Sequence, residues 1–93
     1  MIGKVDALGR ALLDLQVSPD INQEPTAITA WVDTAFNGEL VVPRSIILSA
    51  GFKQSAGCVA RLANEGATPL LGIGLLDGHR LVVDYRHREL VLE

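Results

Sequence analysis

A chain of 93 residues and 9.9 kDa with 48% hydrophobic and 20% charged residues has too much apolar content for a disordered segment and too little length for two lobes. It reads as one small globular domain that would gain from pairing with another chain. Eight Lys and Arg against eleven Asp and Glu leave a net charge of −3, so nucleic-acid phosphates find no basic stripe, and the lone cysteine, Cys58, excludes an internal disulfide and a multi-cysteine metal site.

The chain opens on Met1-Ile2-Gly3-Lys4-Val5-Asp6 with no signal-peptide core after it, and nowhere do roughly 18 apolar residues follow one another. A cytoplasmic location without membrane contact is expected, in keeping with an unpaired cysteine. Ala11, Leu13, Leu15 and Val17 recur with a period of two, predicting a strand over 9–17 that Ser18-Pro19-Asp20 closes as a turn. After a polar connection from Ile21 to Pro25, Thr26–Val32 alternates again, with Ile28, Ala30 and Val32 on one face and Thr29 and Trp31 on the other. Asp33–Gly38 reads as a loop whose strongest turn signal is Asn37-Gly38, since both residues tolerate positive φ. Leu40–Val42 resumes as a strand; Pro43 stops it and opens a helix over Arg44–Ala50, with Ile46, Ile47 and Ala50 at helical spacing and Gly51 as the cap. Cys58–Ala63 reads as a strand ending in the turn Asn64-Glu65-Gly66. Leu70–Leu76 is an apolar run holding Gly72 and Gly74, so a buried segment with a sharp backbone feature is expected. Arg80–Tyr85 and Glu89–Glu93 make a last pair of strands about Arg86-His87-Arg88, and the sum is mostly β with one or two short helices.

The sharpest chemical feature is Ala30-Trp31-Val32-Asp33-Thr34-Ala35, a carboxylate at the end of a hydrophobic strand. An Asp-Thr pair there commonly opens a turn by accepting backbone N–H bonds. It also lies where a carboxylate is partly desolvated yet reachable, as acid–base chemistry requires. The order of blocks around it resembles the retroviral-type (retropepsin-like) aspartic proteases, especially the small prokaryotic single-lobe branch. Trp31–Pro43 is similar to the strand, Asp-Thr-Gly or Asp-Ser-Gly loop and following strand of that family. Leu70-Leu71-Gly72-Ile73-Gly74-Leu75-Leu76 is similar to its hydrophobic-hydrophobic-Gly element, and Arg80–Tyr85 with Leu90–Glu93 to its closing strands. The likeness covers most of Arg10 to Glu93, and it implies that residues 1–93 are a single lobe: a small closed β-barrel with one or two short helices and half of an active site.

On this resemblance Asp33 is the catalytic carboxylate, Thr34 braces the two catalytic loops across a dimer, and the backbone at Ala35 approaches the substrate. Gly72 packs behind the loop, Ala63, Asn64, Glu65 and Gly66 form the flap, Leu90–Glu93 supplies much of the dimer interface, and Trp31 covers the barrel opposite Val32. The reaction needs two carboxylates sharing one proton, one acting as base on a water while the other polarises the peptide carbonyl. One chain offers one such Asp, so the resemblance implies a homodimeric aspartic endopeptidase whose partners are a second copy of itself and a peptide or unfolded protein, with no cofactor. Two carboxylates in hydrogen-bond contact cannot both ionise, so activity should peak below neutrality.

The sequence departs from the family pattern at two places. Ala35 stands where Gly is usual, and would add strain only at positive φ. Between Gly66 and Leu70 there are only Ala67-Thr68-Pro69, where the family has a returning strand and more, so the barrel is expected to be shortened after the flap by at least one hairpin. The alternative is a catalytically silent barrel that dimerises or binds an extended peptide by strand addition. His79 and His87, with Asp77, Asp84 and Glu89 nearby, lack ligand spacing, so no metal site is expected. Ser45, Ser49 and Ser55 have no histidine base beside them, Gly72-Ile73-Gly74 lacks the third glycine and lysine of a phosphate loop, and Cys58 reads as a small strand residue.

Overall fold

The computed structural model describes residues 1–18, 22–49, 60–63 and 66–93. The elements run β1 (Ile2–Val5), β2 (Ala11–Val17), β3 (Thr26–Val32), β4 (Leu40–Pro43), α1 (Arg44–Ser49), β5 (Ala60–Ala63), β6 (Leu70–Leu71), α2 (Ile73–Leu76), β7 (Leu81–Asp84) and β8 (Glu89–Leu92). They build one eight-stranded sheet in the order β5-β4-β6-β3-β2-β1-β8-β7. The chain is therefore mostly β with two short helices. No helix among the described residues is long and apolar enough to cross a membrane.

The alternating strands do what their pattern predicts. β2 and β3 pair antiparallel from Leu12↔Trp31 to Val17↔Thr26, which lays Leu13 and Ala30 side by side on the inner face, both fully buried. Ile28 and Val32 are buried beside Ala30, whereas Thr29 and Trp31 face out. Leu90 on β8 and Leu71 on β6 complete the same core, each such leucine contributing about 1.5–3 kcal/mol of burial. Leu12 is the exception to the period of two: it lies on the outer face yet is buried, held between Lys4 and Trp31 as their cross-strand neighbour. β1 carries no sequence signal of its own, because Ile2-Gly3-Lys4-Val5 offers a single buried residue, Val5. It becomes a strand because β2 and β8 supply partners on both edges.

Three expectations are corrected. The sheet is not closed into a barrel: β5 and β7 are its two ends, and among the described residues neither outer edge pairs with another strand. Closure needs edges of matching length and stagger. Here Ala67–Pro69 leads the chain into β6 between β3 and β4 instead of into an edge hairpin. Ala60–Ala63 pairs in parallel with Leu40–Pro43 and not in a hairpin. Asn37-Gly38 does not use positive φ, which is confined among the described residues to Gly9, Gly66, Gly78 and Arg88; the turn forms earlier, at Thr34-Ala35. The run Leu70–Leu76 is only partly buried, with Ile73 and Leu75 about two-fifths exposed on α2, because its second half coils and a single helical turn cannot bury all sides at once. The α1 helix runs to Ser49; the expected Ala50 and Gly51 cap, the turn at Pro19-Asp20, Ile21, and Cys58 and Ser55 lie outside the described residues.

Two carboxylates fix the hairpins that frame β1 and β8. Asp6 Oδ1 accepts the Leu8 and Arg10 backbone N–H groups, while Oδ2 accepts Arg10 Nε at 2.7 Å, and the same guanidinium lies 5.7 Å over the Trp31 ring. Asp84 Oδ1 accepts the Arg86 and His87 N–H groups, and Oδ2 meets His87 Nδ1 at 2.6 Å. The hydrogen bond with Asp84 raises the pKa of His87, and the same bond holds that of Asp84 down. Protonated His87 therefore adds stability that is complete below the ordinary histidine value and fades as pH rises through the raised one. Ionised Asp84 adds stability that holds above the ordinary carboxylate value and is lost as pH falls through the lowered one. In an NMR titration the His87 midpoint is expected above that of a free histidine and should move back down in Asp84→Asn. A midpoint indifferent to that substitution would show that the pair does not form in solution.

Candidate active site

The site grows from the end of β3. Its parallel pairing with β6 stops at Val32↔Leu71, and the next amide, Asp33 N, still donates to Leu71 O at 2.9 Å. The chain then turns. Asp33 Oδ1 accepts Ala35 N at 2.9 Å, and Asp33 O accepts Phe36 N at 3.2 Å, so one carboxylate oxygen is used to hold the loop. Asp33 ends half-buried, with Thr34 and Ala35 exposed beside it. Ala35 has a negative φ, since Arg88 alone among the described non-glycine residues has a positive one. Its methyl group therefore adds no backbone strain here.

The second segment locks this loop from behind. Gly72 N donates to Glu39 O at 2.8 Å, Ile73 N to Phe36 O at 2.9 Å, and Gly74 N to Gly38 O at 3.0 Å. With the Asp33 to Leu71 bond these make four backbone links between 33–39 and 71–74, two stretches more than thirty residues apart. Such an approach excludes side chains. A β-carbon on Gly72 would be driven into the Gly38 carbonyl oxygen and would lie 2.5 Å from Phe36 Cδ2, and one on Gly74 would lie 2.6 Å from Glu39 Cγ. Glycine is demanded at 72 by space and not by φ, which is −101°.

Asp33, Thr34, Ala35 and Gly72 are thus brought together. Of the expected flap, Ala63 ends β5 at the sheet edge, with β4 and β6 between it and β3, Gly66 is an exposed turn residue with φ of +79°, and Asn64 and Glu65 lie outside the described residues. Within the chain, β8, which belongs to the Leu90–Glu93 segment expected at a dimer interface, has β1 on one edge and β7 on the other, and Leu90 is fully buried. The apolar groups exposed near the Asp33 loop are Ile73 and Leu75. Ile73 lines an open groove of about 500 Å³ together with Asn37, Leu76, Asp77 and His79.

Phe36 escaped the sequence reading. Its ring packs on Gly38 and Gly72, and its carbonyl accepts Ile73 N, so it is the side chain around which the two segments close. The signal was present as a phenylalanine two residues before a glycine, with two more glycines at 72 and 74. Its meaning depends on the segments meeting. No group of three or more His, Cys, Asp or Glu that could hold a metal occurs among the described residues. No protein-family model matches the chain, and no curated protein or solved structure matches it.

Proposed function

We propose that the chain is one half of a retropepsin-like aspartic endopeptidase, with Asp33 as its catalytic carboxylate and a second copy supplying the other. The observation that carries this reading is the clasp: a half-buried Asp33 in a tight turn, with Gly72 pressed against the loop from behind by four backbone bonds. A rigid loop of this kind keeps a carboxylate in place for acid–base work. Asp33 Oδ1 accepts Ala35 N, which leaves Oδ2 for the partner's carboxyl or the attacking water. In the reaction one carboxylate takes a proton from water as the oxygen attacks the peptide carbonyl. The protonated carboxyl donates to the carbonyl oxygen, and the leaving amine then collects a proton as the C–N bond breaks. In this reading Thr34, exposed beside Asp33, braces the partner loop, and the exposed Ile73 and Leu75 supply apolar contacts to the pairing face.

The same loop on a silent peptide-binding module would need no second carboxylate, and concentration separates the two. Cleavage of an unfolded protein substrate at acid pH is expected to rise more steeply than in proportion to protein concentration, because a lone protomer holds half a site. Activity that stays constant per protomer down to concentrations at which sedimentation shows only monomer would remove the shared site, and absence of cleavage by an associated chain would favour the binding module.

A further inference from the structure

β7 is the end of the sheet, and its outer edge carries a self-complementary pattern. Arg80 and Glu93 exchange both backbone bonds, at 3.2 and 2.9 Å. Alternation along the β7–β8 register then makes Val82↔Val91 and Asp84↔Glu89 the next bonded pairs. The N–H and C=O groups of Leu81 and Val83 consequently point away from the sheet. Their side chains, in contrast, pack against the core, which leaves Arg80, Val82 and Asp84 on the outer face. No Pro or Lys blunts this edge, and among the described residues no strand covers it.

We propose that β7 pairs antiparallel with β7 of a second copy, about a twofold axis through Val82. In that register Leu81 of one copy exchanges both bonds with Val83 of the other, and the twofold repeats them, so the freed edge groups of both residues are satisfied. Val82 meets its own mate in a close, non-bonded pair at about 4.5 Å between Cα atoms. Arg80 stands opposite Asp84 of the mate, twice, which places opposite charges across the pair. Shifting the axis to Val83 would set Arg80 against Arg86, so charge selects the register. Both groups are accessible: the Arg80 side chain is 73% exposed and touches Glu93 only at 3.5 Å, and that of Asp84 is 41% exposed. The axis runs through Val82 on β7, with β2, β1 and β8 between it and β3, so this pairing uses a different strand from the one proposed for Asp33.

Sedimentation of the full chain and of Val82→Lys tests it. Val82 is on the surface, so the variant should keep its far-UV circular dichroism while two ammonium groups meet on the axis, and the number of copies in the particle is expected to halve. A fall from tetramer to dimer leaves the Asp33 pairing in place. A fall from dimer to monomer assigns the dimer to β7 and overturns the Asp33 pairing instead. Charge gives a second test: Arg80→Asp sets carboxylate against carboxylate at both positions and should lose the contact, whereas Arg80→Lys should keep it. A wild-type chain that remains monomeric at high micromolar concentration, or a folded Val82→Lys of unchanged mass, would overturn the proposal. So would an edge that takes up an added strand peptide while the chain stays monomeric.

Discussion

Gly72→Ala is expected to break the clasp behind Asp33 at a cost of about 3 kcal/mol, the upper part of the range for forcing an extra methyl group into a packed site. The added carbon would enter the Gly38 carbonyl and the Phe36 ring. A carbonyl fixed by its own bond from Gly74 N cannot swing aside as the end of a long side chain can. The Gly72 N and Ile73 N bonds to Glu39 and Phe36 are lost or lengthened together, so the Asp33 loop loosens along with the β3–β6 junction. For a domain this small the loss corresponds to a fall in Tm of more than about 10 °C. Gly78→Ala is the control: it meets open space but has φ of +81°, so it should cost only about 1 kcal/mol. Equal losses at the two positions would mean that the clasp seen at Gly72 is not what holds the loop.

Asp33→Asn should abolish cleavage while leaving the fold untouched. The amide keeps an oxygen to accept Ala35 N, the one side-chain bond that shapes the turn, so a change in Tm is not expected. What is lost is a group that can take and return a proton, and about 10²–10⁴-fold in rate is the usual worth of such a group. The variant also tests sharing of the site. If each site takes one Asp33 from each of two chains, equal mixing of wild type and variant under exchange leaves about a quarter of the pairs with two carboxylates. Activity should then drop to that fraction, whereas a self-sufficient protomer would retain about half. Retention of half the activity, or unchanged activity of the pure variant, would take Asp33 or the shared dyad out of the mechanism.

Several elements were legible in the sequence because their cause is local. The alternation in Ala11–Val17 and Thr26–Val32 assigns an inner and an outer face before any partner is known, and Leu13, Ile28, Ala30 and Val32 are buried accordingly. Pro43 after Leu40–Val42 marks the passage from strand to helix, and α1 begins at Arg44. The placing of Asp33 at the mouth of a turn follows from Asp-Thr chemistry alone, and the turn forms around its carboxylate.

What the residues could not decide was which segments meet. β1 is a strand only because β2 and β8 flank it, and β8 lies between β1 and β7 for the same reason: strand order depends on edge pairing, which leaves no mark within four residues. The open sheet, the parallel pairing of Ala60–Ala63 with Leu40–Pro43 and the self-complementary edge at β7 belong to that class. Gly72 shows both sides. Its sequence announces a close approach, since a glycine in an apolar run gives up packing and chain entropy for something. Only the tertiary structure shows that the approach is to the Asp33 loop, because backbone bonds between residues so far apart form when the sheet assembles and not before.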